Sequence, residues 1–178
     1  MIAVFLANGF EEIEALAVVD VLRRAELDVA TIAVGCTVPV GAHGIAVQPD
    51  LHENSLDFST LEAMVLPGGM PGTLNLEQSD VVQKALRYAM DRNLVVGAIC
   101  AAPSILGHKG YLNGLRATCY PGFESSLEGA ILTDGVVTDG NVTTGCGPGV
   151  AVEFALELVS RLLSSDTSDS IREAMQCL

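Results

Sequence analysis

Ala3-Val4-Phe5-Leu6-Ala7-Asn8-Gly9-Phe10-Glu11-Glu12-Ile13-Glu14 carries the pattern that decides the fold. Ala3 to Leu6 is a short apolar run with β-branched and aromatic side chains, Asn8-Gly9 is a turn pair, and helical spacing follows from about Glu11 to Ala25. That is a strand, a turn and a helix. The unit recurs outward along the chain: Val29 to Val34 reads as a strand, as does Ala63 to Leu66 before Pro67-Gly68-Gly69. A helix is predicted near Ser79 to Asp91, and a strand over Leu94 to Ile99 that enters another helix. The strand runs are almost unbroken in Val, Ile, Leu and Ala, as expected of a parallel sheet with helices on both faces.

The remaining segments complete this α/β reading. Gly135-Val136-Val137-Thr138 and Asn141-Val142-Thr143-Thr144 flank Asp139-Gly140, a pair suited to a type I′ turn, so one short antiparallel hairpin is expected. Helical spacing returns from about Val150 to Leu163, and a polar break over Ser164 to Ser170 precedes a last amphipathic helix to Leu178. No linker, internal repeat or low-complexity tract interrupts the 178 residues, which are read as a single domain, 1–178, able to bury a core unaided.

Composition narrows the function classes. Apolar residues make up 49% and charged ones 17%, against the pattern of disordered chains. With 9 Lys and Arg against 22 Asp and Glu, the formal charge of -13 repels phosphate backbones and acidic headgroups, so neither nucleic acid nor membrane is an expected partner. No apolar stretch approaches a bilayer span, and Met1-Ile2 enters the first strand without a basic leader, so a cytoplasmic protein is expected. The five cysteines, 36, 100, 119, 146 and 177, lack C-x-x-C spacing, which argues against a disulfide framework and a structural metal site. Cys177 stands too near the end for a prenylation box.

The first helix is apolar all round at Ala15-Leu16-Ala17-Val18-Val19, whereas a surface helix shows one stripe. Its outer face is expected to be covered, either by deep burial within the chain or by a homodimer contact.

Chemistry concentrates at Gly97-Ala98-Ile99-Cys100-Ala101-Ala102-Pro103. There a thiol stands where a buried strand ends and a helix begins, the arrangement of a nucleophile elbow. Helix-start amides aimed at the sulfur favour the thiolate, which is both nucleophile and oxidation target. The other four cysteines lack such a setting and read as structural. Leu66-Pro67-Gly68-Gly69-Met70-Pro71-Gly72 turns at the same sheet edge, and its amides could join that of Ala101 in an oxyanion site, although a Gly-Gly turn can be purely structural. It lacks the phosphate-loop pattern.

His43, His52 and His108 all fall outside the positions of a Cys-His pair in such a sheet, so amidotransferase-like catalysis lacks its base. Carboxylates remain. Glu11 and Glu12 are explained by the helix dipole. Glu14 shares a helical stripe with Val18, Val21, Leu22 and Ala25, which turns its carboxyl inward, where it must be protonated or paired. If it meets Cys100, one proton is expected to be shared between the two.

With Gly9-Phe10-Glu11-Glu12-Ile13-Glu14, Asp20 to Ala25, Val65-Leu66-Pro67-Gly68-Gly69, Ala98 to Pro103, and Gly147-Pro148-Gly149 running into Glu153-Phe154-Ala155-Leu156, the chain resembles the ThiJ/PfpI superfamily over nearly its whole length. The likeness is to its DJ-type branch of Parkinsonism-associated deglycase-like proteins and bacterial relatives. The resemblance implies a flavodoxin-like three-layer sandwich, a dimer, Cys100 as reactive thiol, Glu14 as its protonated partner, and a pocket completed by the amides of Gly69 and Ala101.

It further implies cofactor-free conversion of small 2-oxoaldehydes such as methylglyoxal to hydroxy acids, or deglycase, chaperone-like and oxidant-sensing roles. Accordingly a small carbonyl substrate, no cofactor and no metal are expected. The rival expectation is a stress sensor whose Cys100 becomes a sulfinate without significant turnover; hydrolysis of a small amide or ester is a third. The chain departs from the family where Ala101 replaces the His of the protease-like branch. It departs again where Tyr120 stands in place of a His near the cysteine, and where His43 and Cys146 replace arginines of some relatives.

Overall fold

Alternation along the first strand sorts the core into two layers. In the computed structural model, which describes residues 1–177, β1 (Ile2–Ala7) sends Ala3, Phe5 and Ala7 into one apolar cluster and Ile2, Val4 and Leu6 into the other. The first cluster is roofed by α2 (Gly72–Gln78), α3 (Asp80–Asp91) and α4 (Pro103–Gly107). The second is roofed by α1 (Glu12–Arg24), α5 (Ala151–Leu162) and α6 (Ser165–Ala174). The result is the sheet covered on both faces that the continuous apolar strands predict, in the three-layer, flavodoxin-like form that the family resemblance implies.

The seven-stranded sheet runs β3-β2-β1-β4-β5-β9-β8, with β2 (Val29–Val34), β3 (Leu51–His52), β4 (Ala63–Leu66), β5 (Val95–Ile99), β8 (Val136–Asp139) and β9 (Val142–Gly145). All neighbours are parallel except β8 and β9. The chain winds outward from β1 in one direction through β2 and in the other through β4. The carboxyl ends of β1, β4 and β5 therefore lie side by side at the switch point, where such sheets place their sites. A small parallel pair, β6 (Arg116–Ala117) and β7 (Ile131–Leu132), sits apart from the main sheet.

Two predicted boundaries move. Asp139 pairs with Val142, so the hairpin turns on Gly140-Asn141 and not on Asp139-Gly140. Gly140 alone of that pair is left-handed, at φ +59°, which suits a type II′ turn with glycine first and not type I′. The expected polar break is instead the start of α6, because Ser164 caps it by accepting from the Thr167 amide at 3.1 Å. The predicted end of that helix at Leu178 lies outside the described residues.

α1 is not deeply buried all round. Val18 and Leu22 are enclosed, but Ile13 is 58% and Leu16 36% exposed, so the covered-within-the-chain reading of its outer face fails. No helix among the described residues is long and apolar enough to cross a membrane.

Candidate active site

The end of β5 delivers Cys100 into a strained turn. Its φ of +64° is left-handed, a conformation that costs a non-glycine residue free energy and is kept here by hydrogen bonds on both sides. The Cys100 amide donates to the Gly145 carbonyl at 2.8 Å, and its carbonyl accepts from the Tyr120 amide at 2.8 Å. α4 follows with Pro103 in its first turn, and Ser104 Oγ donates to the Ala101 carbonyl at 2.7 Å, closing the elbow. Cys100 as a residue is 9% exposed, which leaves room for a small molecule only.

Glu14 comes from the first turn of α1 and is fully buried. Its Oε2 accepts from the Gly68 amide at 2.7 Å. Its Oε1 is buried without a partner of regular hydrogen-bond geometry, and the side chain that couples to the carboxyl is Cys100. A bare carboxylate oxygen in that position would be costly, whereas a protonated Oε1 has the sulfur to donate to.

Burial pushes the Glu14 carboxyl up to about 7, against the lowering effects of Cys100 and the Gly68 amide. Burial and the Glu14 charge push the thiol upward as well, and outweigh the amides of Gly69 and Ala101 that face the sulfur. The elbow alone therefore does not ionise Cys100, contrary to the expectation from helix-start amides. With Glu14 protonated, the charge that opposes the thiolate disappears, and the amides are left to work against desolvation alone.

This titration bears on stability. The folded state holds the Glu14 proton up to about pH 7, while the unfolded carboxyl releases it near 4.5. Between those values the unfolded chain binds fewer protons at this group, so its contribution to stability falls as pH rises. Glu14→Gln is expected to remove that downward slope from a plot of Tm against pH; parallel wild-type and variant curves would contradict the assignment.

The other expected site residues are placed as follows. Gly69, at φ +89°, and Ala101 present amides to the sulfur. The Gly68 amide is already engaged by Glu14, so it positions the acid and is not a free oxyanion donor. Tyr120 touches the elbow through its backbone; its side chain is 46% exposed and lies against Gly147.

Two of the three imidazoles are engaged elsewhere: His43 Nδ1 lies 3.0 Å from Glu12 and His108 Nδ1 2.6 Å from Glu77. Cys146 is half-buried and lines, with Cys119, Thr118, Glu124 and Asp134, a cleft of about 300 Å³ beside the elbow. Sequence reading had no signal for Cys119, because its cleft is assembled by segments remote in the chain. A larger cleft of about 530 Å³ lies at the ends of β1 and β2, by Asn8, Gly35, Glu53 and Asn75, and contains no thiol.

Glu12 is more than a dipole partner. It is 5% exposed, and its Oε1 accepts from the His43 and Ile45 amides at 2.8 and 3.3 Å. Glu11, Glu12 and His43 bring three ligand atoms within 4.8 Å of one another. Because the Glu12 oxygens are already satisfied by the loop, the arrangement serves to fasten that loop to α1.

Residues 1–161 match the model of the DJ-1/PfpI family. The chain belongs to that family. Protein DJ-1 homolog A of Arabidopsis thaliana is 34% identical over 93% of this chain and 44% of its own length. Protein DJ-1 homolog B of the same plant is matched over 40% of its length, so the chain spans less than half of these two relatives. Glutathione-independent glyoxalase DJR-1.2 of Caenorhabditis elegans is 35% identical over 94% of this chain and 90% of its own. Among solved structures, a DJ-1 superfamily protein from Salmonella typhimurium superposes with a TM-score of 0.93 at 32% identity, covering 98% of this chain and 97% of its own. This DJ-1/PfpI chain thus shares fold and family with one protein named as a glyoxalase and several named only as DJ-1 homologues.

Proposed function

We propose that the protein is a cofactor-independent glyoxalase of small 2-oxoaldehydes, acting in the cytoplasm. The observation that carries this reading is the buried acid set against a strained thiol, with one oxygen fixed by Gly68 and the other left for the sulfur. In the productive state Glu14 holds the proton on Oε1 and Cys100 is the thiolate.

The sulfur adds to the aldehyde carbon of methylglyoxal, and Glu14 gives its proton to the forming alkoxide. The carboxylate so produced takes the hydrogen from that carbon to give an enediolate and returns a proton to the neighbouring carbon, while the hydroxyl proton on the first carbon passes to the oxygen on the second, leaving a lactoyl thioester. One carbon is oxidised and the next reduced, with no external electron acceptor. Water then cleaves the lactoyl thioester and frees lactate and the thiol. A carboxyl near neutrality suits both halves of this transfer. The amides of Gly69 and Ala101 stand ready for developing negative charge.

The test is lactate formation from methylglyoxal without glutathione or added metal; purified protein that forms none overturns the reading. The second reading is an oxidant sensor, supported by amides and an acid that would also hold a sulfinate at Cys100. Intact mass after mild peroxide distinguishes it: it requires a selective gain of two oxygens at Cys100, and equal oxidation of all five thiols rules it out.

The exposed Ile13 and Leu16 support a homodimer through α1. Ile13→Glu is expected to give a monomer by light scattering, and an unchanged mass would refute this interface.

A further inference from the structure

The outer face of α3 gathers cations in a chain that is otherwise strongly acidic. Three of the nine Lys and Arg residues, Lys84, Arg87 and Arg92, rim a cleft of about 310 Å³ with Phe58, Tyr88 and Asp91. Of the other six, Arg23 pairs with Asp50 at 2.7 Å, Arg24 with Asp20 at 2.7 Å and Arg116 with Asp139 at 3.4 Å, while Lys109, Arg161 and Arg172 make no ion pair among the described residues and lie apart from one another in the sequence. Among the described residues the three cations of the cleft make no ion pair, although Asp91 stands beside them and the chain holds 22 carboxylates.

The floor is aromatic and ordered. Phe58 and Tyr88 stack with centroids 6.1 Å apart, and the Arg92 guanidinium lies 3.9 Å over the Tyr88 ring. A guanidinium held flat on a ring keeps its N–H edge free in plane, ready for a bidentate anion. Helical spacing sets Lys84, Tyr88 and Arg92 on one stripe, with Arg87 next to it. A half-buried apolar floor with a rim of three cations and one acid selects a ligand that is flat at one end and carries at least two negative charges at the other.

We infer that this cleft binds a small aromatic polyanion of the nucleoside diphosphate class. Phosphate oxygens lie against Lys84, Arg87 and the Arg92 edge, and the base lies against Phe58. The site is on the α3 face, away from the elbow, and does not depend on the reaction assigned to Cys100.

The test is calorimetric titration at low salt with ADP, inorganic pyrophosphate and adenosine as probes. ADP is expected to bind, to raise Tm, and to lose affinity as salt rises, with pyrophosphate and adenosine each at least tenfold weaker. The Arg87→Glu, Arg92→Glu double variant is expected to lose ADP affinity at least tenfold while the alkylation rate of Cys100 stays unchanged. If circular dichroism shows that variant unfolded, the exposed single substitution Arg87→Gln repeats the comparison with a several-fold loss. Absence of ADP binding, pyrophosphate binding as tight as ADP, or undiminished binding by the folded variants would overturn the assignment.

Discussion

Cys100→Ser is expected to abolish lactate formation, and Glu14→Gln to lower it by about 10²–10⁴-fold, the range that a positioned acid or base supplies. A serine hydroxyl fits the same elbow but is not ionised at neutral pH, and the amides of Gly69 and Ala101 cannot make up that difference. Glu14→Gln is the more informative substitution. Its carbonyl oxygen can accept from the Gly68 amide as Oε2 does, which leaves its NH2 at the place of Oε1, facing sulfur. It therefore imitates protonated Glu14 as a hydrogen-bond donor and cannot pass the proton on.

Glu14→Leu removes the donor and also strands the Gly68 amide. The expected outcome is a thiol that ionises at lower pH in the Gln variant than in the Leu variant, with both nearly inactive. Alkylation rates against pH, read beside turnover, check it. Equal thiol pKa values in the two variants would mean that the carboxyl does not act on the sulfur.

The parts of the fold that sequence made legible are those set by long apolar periodicity. α1, β2, β4, α3 and β5 lie within a residue of their expected bounds, because burial on both sheet faces leaves an unbroken apolar run. Strands β3, β6 and β7 have two residues each and leave no periodicity to read. The start of α6 was hidden because Ser164 serves equally as a break and as a cap, and only the Thr167 amide decides between them.

At the site, the stripe through Glu14, Val18 and Leu22 announced an inward carboxyl, and the burial of all three agrees. The direction of the thiol's titration was not legible. It is the difference between amides of the local turn and desolvation by elements far along the chain, and sequence shows only the first. Likewise the burial of Glu12 depends on a loop 31 residues away, at His43, so the helix dipole seemed sufficient to explain it.

Gly68→Ala is expected to disable the site through a single methyl group. Gly68 is not among the left-handed glycines, so alanine can adopt its backbone conformation and the loss cannot be ascribed to twist. What it lacks is room. An added Cβ would lie 2.6 Å from the Cys100 Cβ, 2.8 Å from Glu14 Oε2 and 3.0 Å from the Ala101 amide nitrogen. Each of those neighbours is held in place: Cys100 by Gly145 and Tyr120, and Glu14 by the very amide that would have to move.

Relief must come from parting the acid and the thiol. Overpacking of this kind costs about 1–3 kcal/mol, more than the roughly 0.4–1 kcal/mol gained by restricting the unfolded chain. A displacement near 1 Å at reacting groups costs about 10²-fold in rate. The expected result is therefore a folded protein with Tm lowered by a few degrees and turnover reduced on the order of 10²-fold. Gly149→Ala is the control, since its added methyl meets nothing within 4 Å and its φ is not left-handed. Wild-type turnover in the Gly68 variant would show that the contact between Glu14 and Cys100 is not what drives the chemistry.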